Sequence, residues 1–245
     1  MCGRDYSIYA AEELAFRYFD KRPFPWLVTR EIPSFKASYN MCPTQIAPVL
    51  SVSEGALCFR LMRWGLVPAW AKSVKDADKY SMINAKSEEV TEKRSFKNAF
   101  QKRRCIVPVS GFYEWKRIGE SKQPFAIHLL HEPIISLAGI WERWENPEKQ
   151  GAKQGADDGG FVDSFCLMTM AANSVMSGIH NRMPVILSKE EEQGWLNPLI
   201  TTPKDIFPFM TGETANDLTA YEISPLVNSP KNNSPKVLEA INATK

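Results

Sequence analysis

The 245-residue sequence predicts an α+β protein, a single domain built on a mostly antiparallel sheet or barrel. Three observations carry this. Residues 105–109, 112–117, 125–130 and 134–141 read as four successive strands with no helical period between them, which argues against an alternating βαβ chain. Residues 46–51 and 57–64 read as strands on either side of Ser53-Glu54-Gly55, a hairpin signature. Composition is ordinary for a globular chain, 44% hydrophobic and 24% charged, and no internal repeat or clean linker divides it.

The elements follow in order. Residues 1–9 read as an extended start. Residues 10–20 are helical, because Leu14 and Tyr18, and Ala15 and Phe19, fall four apart on one face. Pro23 and Pro25 stop that helix, and the Pro-rich stretch 21–44 reads as loop. Residues 65–79, with Pro68 and Trp70, also read as loop. A helix with a strongly basic face is expected over 88–102. The polar stretch 145–163 has four glycines and no apolar period, and reads as a flexible surface loop. A strand is expected at 165–170, a short turn or helix at 173–180, and another strand at 183–187. Ser188 with Glu191 forms a capping box for a helix reaching Trp195. Residues 221–224 form a late strand. The tail, with Pro225, Pro230 and Pro235, ends in a short helix-like piece packed on the domain.

Several classes are disfavoured. Five cysteines (Cys2, Cys42, Cys58, Cys105 and Cys166) are an odd number with no CxxC spacing, so neither a disulfide framework nor structural zinc is expected. No apolar run approaches the length of a membrane span. Asp5, Glu12 and Glu13 fall where a signal peptide needs apolar residues. The expectation is a reduced, cytoplasmic monomer without metal or cofactor. A net charge of +2 says little about partners.

The chemistry concentrates at Cys2. Met1 precedes a small side chain and is of the kind normally trimmed, which makes Cys2 the N-terminus and gives it an amine and a thiol on adjacent carbons. An α-amino group titrates near 7.7–8.0 and a lysine near 10.4, so roughly a tenth of the amine is neutral at pH 7. Such an amine is a good Schiff-base nucleophile toward an aldehyde. The thiol can then close on the imine carbon to form a five-membered thiazolidine, which resists hydrolysis. Among the histidines, His128 and His131 sit in or at the end of an apolar strand pattern and read as structural or exposed. His180 lies in a polar turn, Ser177-Gly178-Ile179-His180-Asn181-Arg182, where site residues are common. Glu114, between Tyr113 and Trp115, is either a solvent-face residue or a partly desolvated acid suited to proton transfer. Seven cations lie between Lys86 and Arg104, with Trp64, Trp70, Phe112 and Trp115 to either side. Cationic grooves with stacking platforms hold single strands.

These pieces together resemble the SOS response-associated peptidase family, whose SRAP domain shields abasic sites in DNA. The matching blocks are Met1-Cys2-Gly3-Arg4, Tyr39-Asn40 with Pro43-Thr44, Trp64-Gly65-Leu66-Val67-Pro68, Ile83-Asn84-Ala85-Lys86-Ser87-Glu88, Cys105-Ile106-Val107-Pro108 with Gly111-Phe112-Tyr113-Glu114-Trp115, and Ile179-His180-Asn181-Arg182-Met183-Pro184. The resemblance implies a distorted, mostly antiparallel β-barrel flanked by helices, and a positive cleft for single-stranded DNA. It also implies capture of the ring-opened abasic sugar as a Cys2 thiazolidine during the SOS damage response. By motif match, Asn84 orients the Cys2 amine, Glu114 shuttles protons, and His180 assists and stabilises the sugar hydroxyl. Arg4, Asn40, Trp70, Lys86 and Arg182 line the DNA path. Lys86 departs from the more usual arginine, exchanging a bidentate grip for a point charge, and Cys42 stands where a small apolar residue is common.

Two further activities follow from the same groups. A cysteine peptidase, autoproteolytic at the N-terminus, would use Cys2 as nucleophile, His180 as base and Glu114 as support. Strand scission at abasic sites, a lyase reaction, would follow from the acidified C–H bond beside a Schiff base. A third reading, non-covalent single-strand binding, needs the charges and aromatics but not Cys2.

Overall fold

Two sheets and six short helices make up the computed structural model, which describes residues 2–20, 24–146 and 160–241. Numbered in chain order, the strands of the smaller sheet are β1 (Asp5–Ser7), β3 (Ser38–Met41), β8 (Gly111–Ile118), β9 (Ser121–Leu129) and β14 (Leu218–Glu222), in the order β14-β9-β8-β1-β3. The larger sheet contains β4 (Ile46–Ser53), β5 (Ala56–Trp64), β7 (Arg104–Val109), β10 (Ile135–Glu145) and β11 (Phe161–Ala171), and these five close into a ring. Four pairings in the ring are antiparallel, and the closing pair, β11 with β5, is parallel. An odd-membered ring cannot alternate direction all the way round, so one parallel pair is unavoidable. Full closure removes the barrel's exposed edges. Short strands β2 (Leu27–Val28), β6 (Asn84–Lys86), β12 (Arg182–Pro184) and β13 (Ile186–Leu187) are added at its margins.

Strands β7 and β10 and the middle of β11 are buried on both faces, whereas β5 alternates buried with half-buried or exposed residues. In β11, Phe165 and Leu167 enter one apolar cluster while Cys166 and Met168 enter another. The period of two is intact, but both faces are covered, which is why β7 reads as a continuous apolar run. The helices α1 (Ala11–Ala15), α3 (Lys97–Lys102), α5 (Lys189–Leu196) and α6 (Pro203–Ile206) cover one side through Leu14, Phe100, Trp195 and Ile206. The Ser188–Glu191 capping box is present, with Glu191 N–H donating to Ser188 Oγ and Ser188 N–H to Glu191 Oε2. The β4–β5 hairpin also forms where expected. Glu54 and Gly55 both have positive φ, the backbone of the turn that matches strand twist.

Other segments differ from the sequence reading. Stretch 21–44 is not all loop: β2 and β3 lie in it, paired with β5 and β1, whereas Pro23 falls outside the described residues. The 65–79 loop contains a five-residue helix, α2 (Val74–Asp78), capped by Ser73 Oγ. Of 88–102 only α3 is helical. Residues 88–96 form successive turns, such as Glu92 N–H to the Glu89 carbonyl, and Val90 is drawn into the core. The 145–163 stretch is shorter as a loop than expected. Glu145 ends β10 and residues 161–163 begin β11, where Asp163 pairs with Arg60 and Arg143 and so stabilises polar residues in a strand. Residues 147–159 of that stretch lie outside the described residues, as does Met1. Among the described residues, no helix is long and apolar enough to cross a membrane.

Candidate functional site

The N-terminal segment is locked in place before any function is considered. β1 is an inner strand of the smaller sheet, antiparallel to β3 on one side and β8 on the other. Tyr113 N–H donates to the Arg4 carbonyl and Ser110 N–H to the Tyr6 carbonyl. Gly111 is required for this approach, since a Cβ there would lie 2.2 Å from Tyr6 Oη and 2.4 Å from the Ile127 carbonyl oxygen. Cys2, three residues before β1, is fully buried in a cluster that includes Met41, Trp64 and Phe112.

Asn84 reaches Cys2 from the other sheet. It begins β6, which runs parallel to β11 with Asn84 opposite Leu167. Trp64 Nε1 donates to the Ile83 carbonyl and helps fix the residue before it. Asn84 Nδ2 donates to the Cys2 carbonyl at 2.8 Å. Its Oδ1 is buried with no hydrogen-bond partner among the described residues. Glu114, on β8, is 2% exposed. The Cys2 thiol is raised well above its usual pKa by burial first, then by the fields of Glu114 and Asp5. Cys2, Asn84 and Glu114 are thus brought together from segments 82 and 30 positions apart.

His180 joins from a third direction. It follows α4 (Ser174–Ser177), whose N-cap Asn173 accepts the Met176 N–H. His180 Nδ1 lies 3.0 Å from the Arg182 amide nitrogen and 3.2 Å from the Arg182 carbonyl oxygen, so the ring is tied to the Arg182 backbone through that nitrogen. A cleft of about 820 Å³ has Glu114, Trp115, Arg117 and Lys122 on one side and Ile179, His180 and Asn181 on the other. Glu114 and His180 therefore face one space.

The expected DNA-path residues divide. Lys86 is exposed and pairs with Glu89 at 2.8 Å, and Trp70 is 39% exposed with its ring edge against Tyr80. Arg182 makes a two-pronged contact with Glu88 and also donates to Thr169, so its charge is already matched. Asn40 does not face a groove. It is 1% exposed, and its amide donates to the carbonyls of Val227, Ser229 and Asn232. Arg4 donates to Asn40 Oδ1 and the Val227 carbonyl, both at 2.7 Å, so the two together clamp the C-terminal segment. Cys42, the second thiol, donates to the Asn40 carbonyl.

The basic stretch is also corrected. Arg104 is 5% exposed and donates to five backbone carbonyls, and Arg103 pairs with Glu142. Trp64 and Phe112 are core residues, leaving Trp70 and half-buried Trp115 as the aromatics that solvent can reach.

Sequence reasoning missed Arg117 and Lys122. They are exposed cross-strand partners on the β8–β9 hairpin and both line the cleft. Neither has an ion-pair partner among the described residues. Like charges directly opposite each other are unfavourable, and a bound anion would relieve that. The signal was available in the hairpin register.

Comparison with known proteins accords with this geometry. A family model described as SOS response associated peptidase (SRAP) matches residues 1–230. The chain belongs to the SRAP family. It is similar to abasic site processing protein YoaM of Bacillus subtilis (strain 168), 37% identical over 248 residues and 99% of each chain. It is also 40% identical over 209 residues to abasic site processing protein YoqW of the same organism, covering 84% of this chain and 87% of that protein. Abasic site processing protein HMCES of Xenopus tropicalis is 28% identical, covering 98% of this chain and 78% of that one. Among solved structures, a Bacteroides thetaiotaomicron protein superposes with a TM-score of 0.76 at 28% identity, covering 98% of this SRAP chain and 99% of that one.

Proposed function

We propose that this SRAP protein processes abasic sites in single-stranded DNA by covalent capture, using the amine and thiol of Cys2 on one aldehyde carbon. The observation that carries this reading is the environment of Cys2: a buried aminothiol position tied to Asn84, beside the Glu114 carboxyl. The relatives' names as abasic site processing proteins support the substrate class.

Once Met1 is removed, the Cys2 amine is the first nucleophile. Asn84 Oδ1 is the acceptor available to orient that amine, while Nδ2 holds the Cys2 carbonyl. Glu114 serves as proton donor and acceptor for sugar-ring opening and for loss of water from the carbinolamine. His180 assists by donating to the sugar hydroxyl. The thiol then adds to the iminium carbon and closes the thiazolidine. This protects the lesion during the damage response, with strand scission as a minor outcome of the same Schiff base.

The raised thiol favours amine-first capture over the peptidase reading. A cysteine protease nucleophile needs a depressed thiol pKa, and here burial, Glu114 and Asp5 all act in the opposite direction.

Intact-mass measurement of the purified protein with an abasic oligonucleotide tests the proposal. Expected is a protein lacking Met1 that gains the oligonucleotide mass less one water. A chain with a free Cys2 amine and no adduct would sink the reading.

Arg117 and Lys122 extend the DNA path as phosphate contacts. Changing both to Ser should lower the slope of log affinity against log salt by about 1.4, at ~0.7 per phosphate contact on a single strand. An unchanged slope in a salt titration would remove them from the path.

A further inference from the structure

Asp5 is a carboxyl group near the reactive residue that the steps above do not use. It is 3% exposed, and its Oδ1 has no hydrogen-bond partner among the described residues. On β1 it lies opposite Met41 of β3 and Phe112 of β8. Directly opposed residues on antiparallel strands share a face. The Asp5 carboxyl therefore points to the side where Met41, Phe112 and Cys2 form one apolar cluster. Burial raises it well above the usual carboxylate range, and no neighbouring cation counters that. The adjacent Arg4 turns its guanidinium to Asn40 and the Val227 carbonyl instead. The other titratable groups within reach of its field are Cys2, Tyr9, Cys42 and Tyr113, with Glu114 next along β8.

We propose that Asp5 is a positioning residue for Cys2, a buried acid whose charge state sets when the thiol can lose its proton and therefore orders amine capture before ring closure. The inference rests on the covalent-capture reading. The amine nitrogen bonds to the aldehyde carbon, and the carbinolamine loses its hydroxyl as water to give an iminium. Sulfur then bonds to the same carbon and the thiol proton departs. The net change is one water released, with nothing oxidised or reduced. Asp5 is neutral in the unreacted fold, where burial raises it; the iminium cation formed beside it favours release of its proton, and the resulting carboxylate opposes a thiolate next to it. A neutral Asp5 lifts that restraint. Glu114 serves the amine and the sugar, and Asp5 acts on the sulfur.

The test compares Asp5→Asn, an uncharged isostere, with Asp5→Glu, using protein that begins at Cys2. Asp5→Thr repeats the comparison if the amide does not fit. Formaldehyde, which closes a thiazolidine with an N-terminal cysteine, is reacted across pH 5–9 and the product read by mass spectrometry. The expected result is that ring closure in Asp5→Asn shifts about one pH unit lower, while Asp5→Glu keeps the parent profile. Thermal melts should also separate. The parent must hold an acid neutral in the fold while the unfolded chain releases its proton near pH 4, so the Tm advantage of Asp5→Asn should widen from pH 5 to pH 8. A widening Tm gap with an unchanged closure profile would make Asp5 purely structural and overturn the inference. If the parent ignores abasic DNA but the formaldehyde profile still shifts, the functional reading fails and the role of Asp5 stands.

Discussion

Cys2→Ser is expected to convert a durable covalent complex into a transient one. The serine variant keeps the N-terminal amine and its neutral fraction near pH 7, so a Schiff base with the abasic aldehyde still forms. The hydroxyl is a much weaker nucleophile than sulfur and does not hold the ring closed. Complex surviving denaturation should therefore fall ~100-fold or more, about 2.7 kcal/mol of adduct stability. Adding borohydride during the reaction should recover it by reducing the imine. Gel analysis of both variants, with and without reductant, reads this directly. Equal yields without reductant would mean that the thiol takes no part. Failure of reductant to restore the serine complex would mean that the amine does not attack.

Arg104→Leu is expected to destabilise the fold rather than change the salt dependence of DNA binding. The guanidinium donates to the carbonyls of Phe100, Gln101, Trp195, Asn197 and Ile200 at 2.5–3.0 Å. The first four lie at the ends of α3 and α5, where backbone carbonyls have no helical partner, and Ile200 lies in the turn after α5. Burial lowers the guanidinium to about 10, so the ion is held by carbonyl dipoles and not by a counterion. Leucine relieves the cost of burying the charge but removes the guanidinium donor from all five carbonyls, of which Asn197 keeps the Ile200 N–H. A buried, unsatisfied polar group costs about 1–3 kcal/mol, and several of these carbonyls lose their donor at once. That is a large share of a total near 5–15 kcal/mol. Urea denaturation should show the midpoint falling, while the folded fraction keeps the parent's salt dependence for DNA. A lower salt slope without lost stability would return Arg104 to the DNA surface.

The two cases show where sequence reading succeeds. Strand and hairpin patterns are local, so β4, β5 and the β7–β10 run were legible, as was the Ser188–Glu191 cap. Cys2, Asn84, Glu114 and His180 could be read as a candidate set because each lies in a distinctive short block, and the fold places Asn84 and Glu114 near Cys2 and sets His180 on the same cleft as Glu114. Arg104 failed because a run of cations looks the same whether its members face solvent or the carbonyl ends of two helices. Trp64 and Phe112 failed for a related reason: an aromatic residue suits a stacking platform and a core equally well. Arg117 and Lys122 were passed over because each is unremarkable alone, and only the hairpin register sets them opposite each other.

The sequence by itself singled out Cys2 as the candidate chemical centre, since a cysteine that becomes the N-terminus carries an amine and a thiol on neighbouring carbons. It determined the sheet-rich α+β class as well. The tertiary structure alone decided the protonation landscape around that residue. Burial depth and the field at Cys2 depend on which strands lie beside β1, and those come from β3 and β8, tens of residues away. Asp5, which the sequence marks only as an acidic residue near the N-terminus, acquires its significance from being opposed to Met41 and Phe112 on the side of an apolar cluster. Desolvation is a property of the packed surroundings and not of the residue, so no local pattern could have shown it.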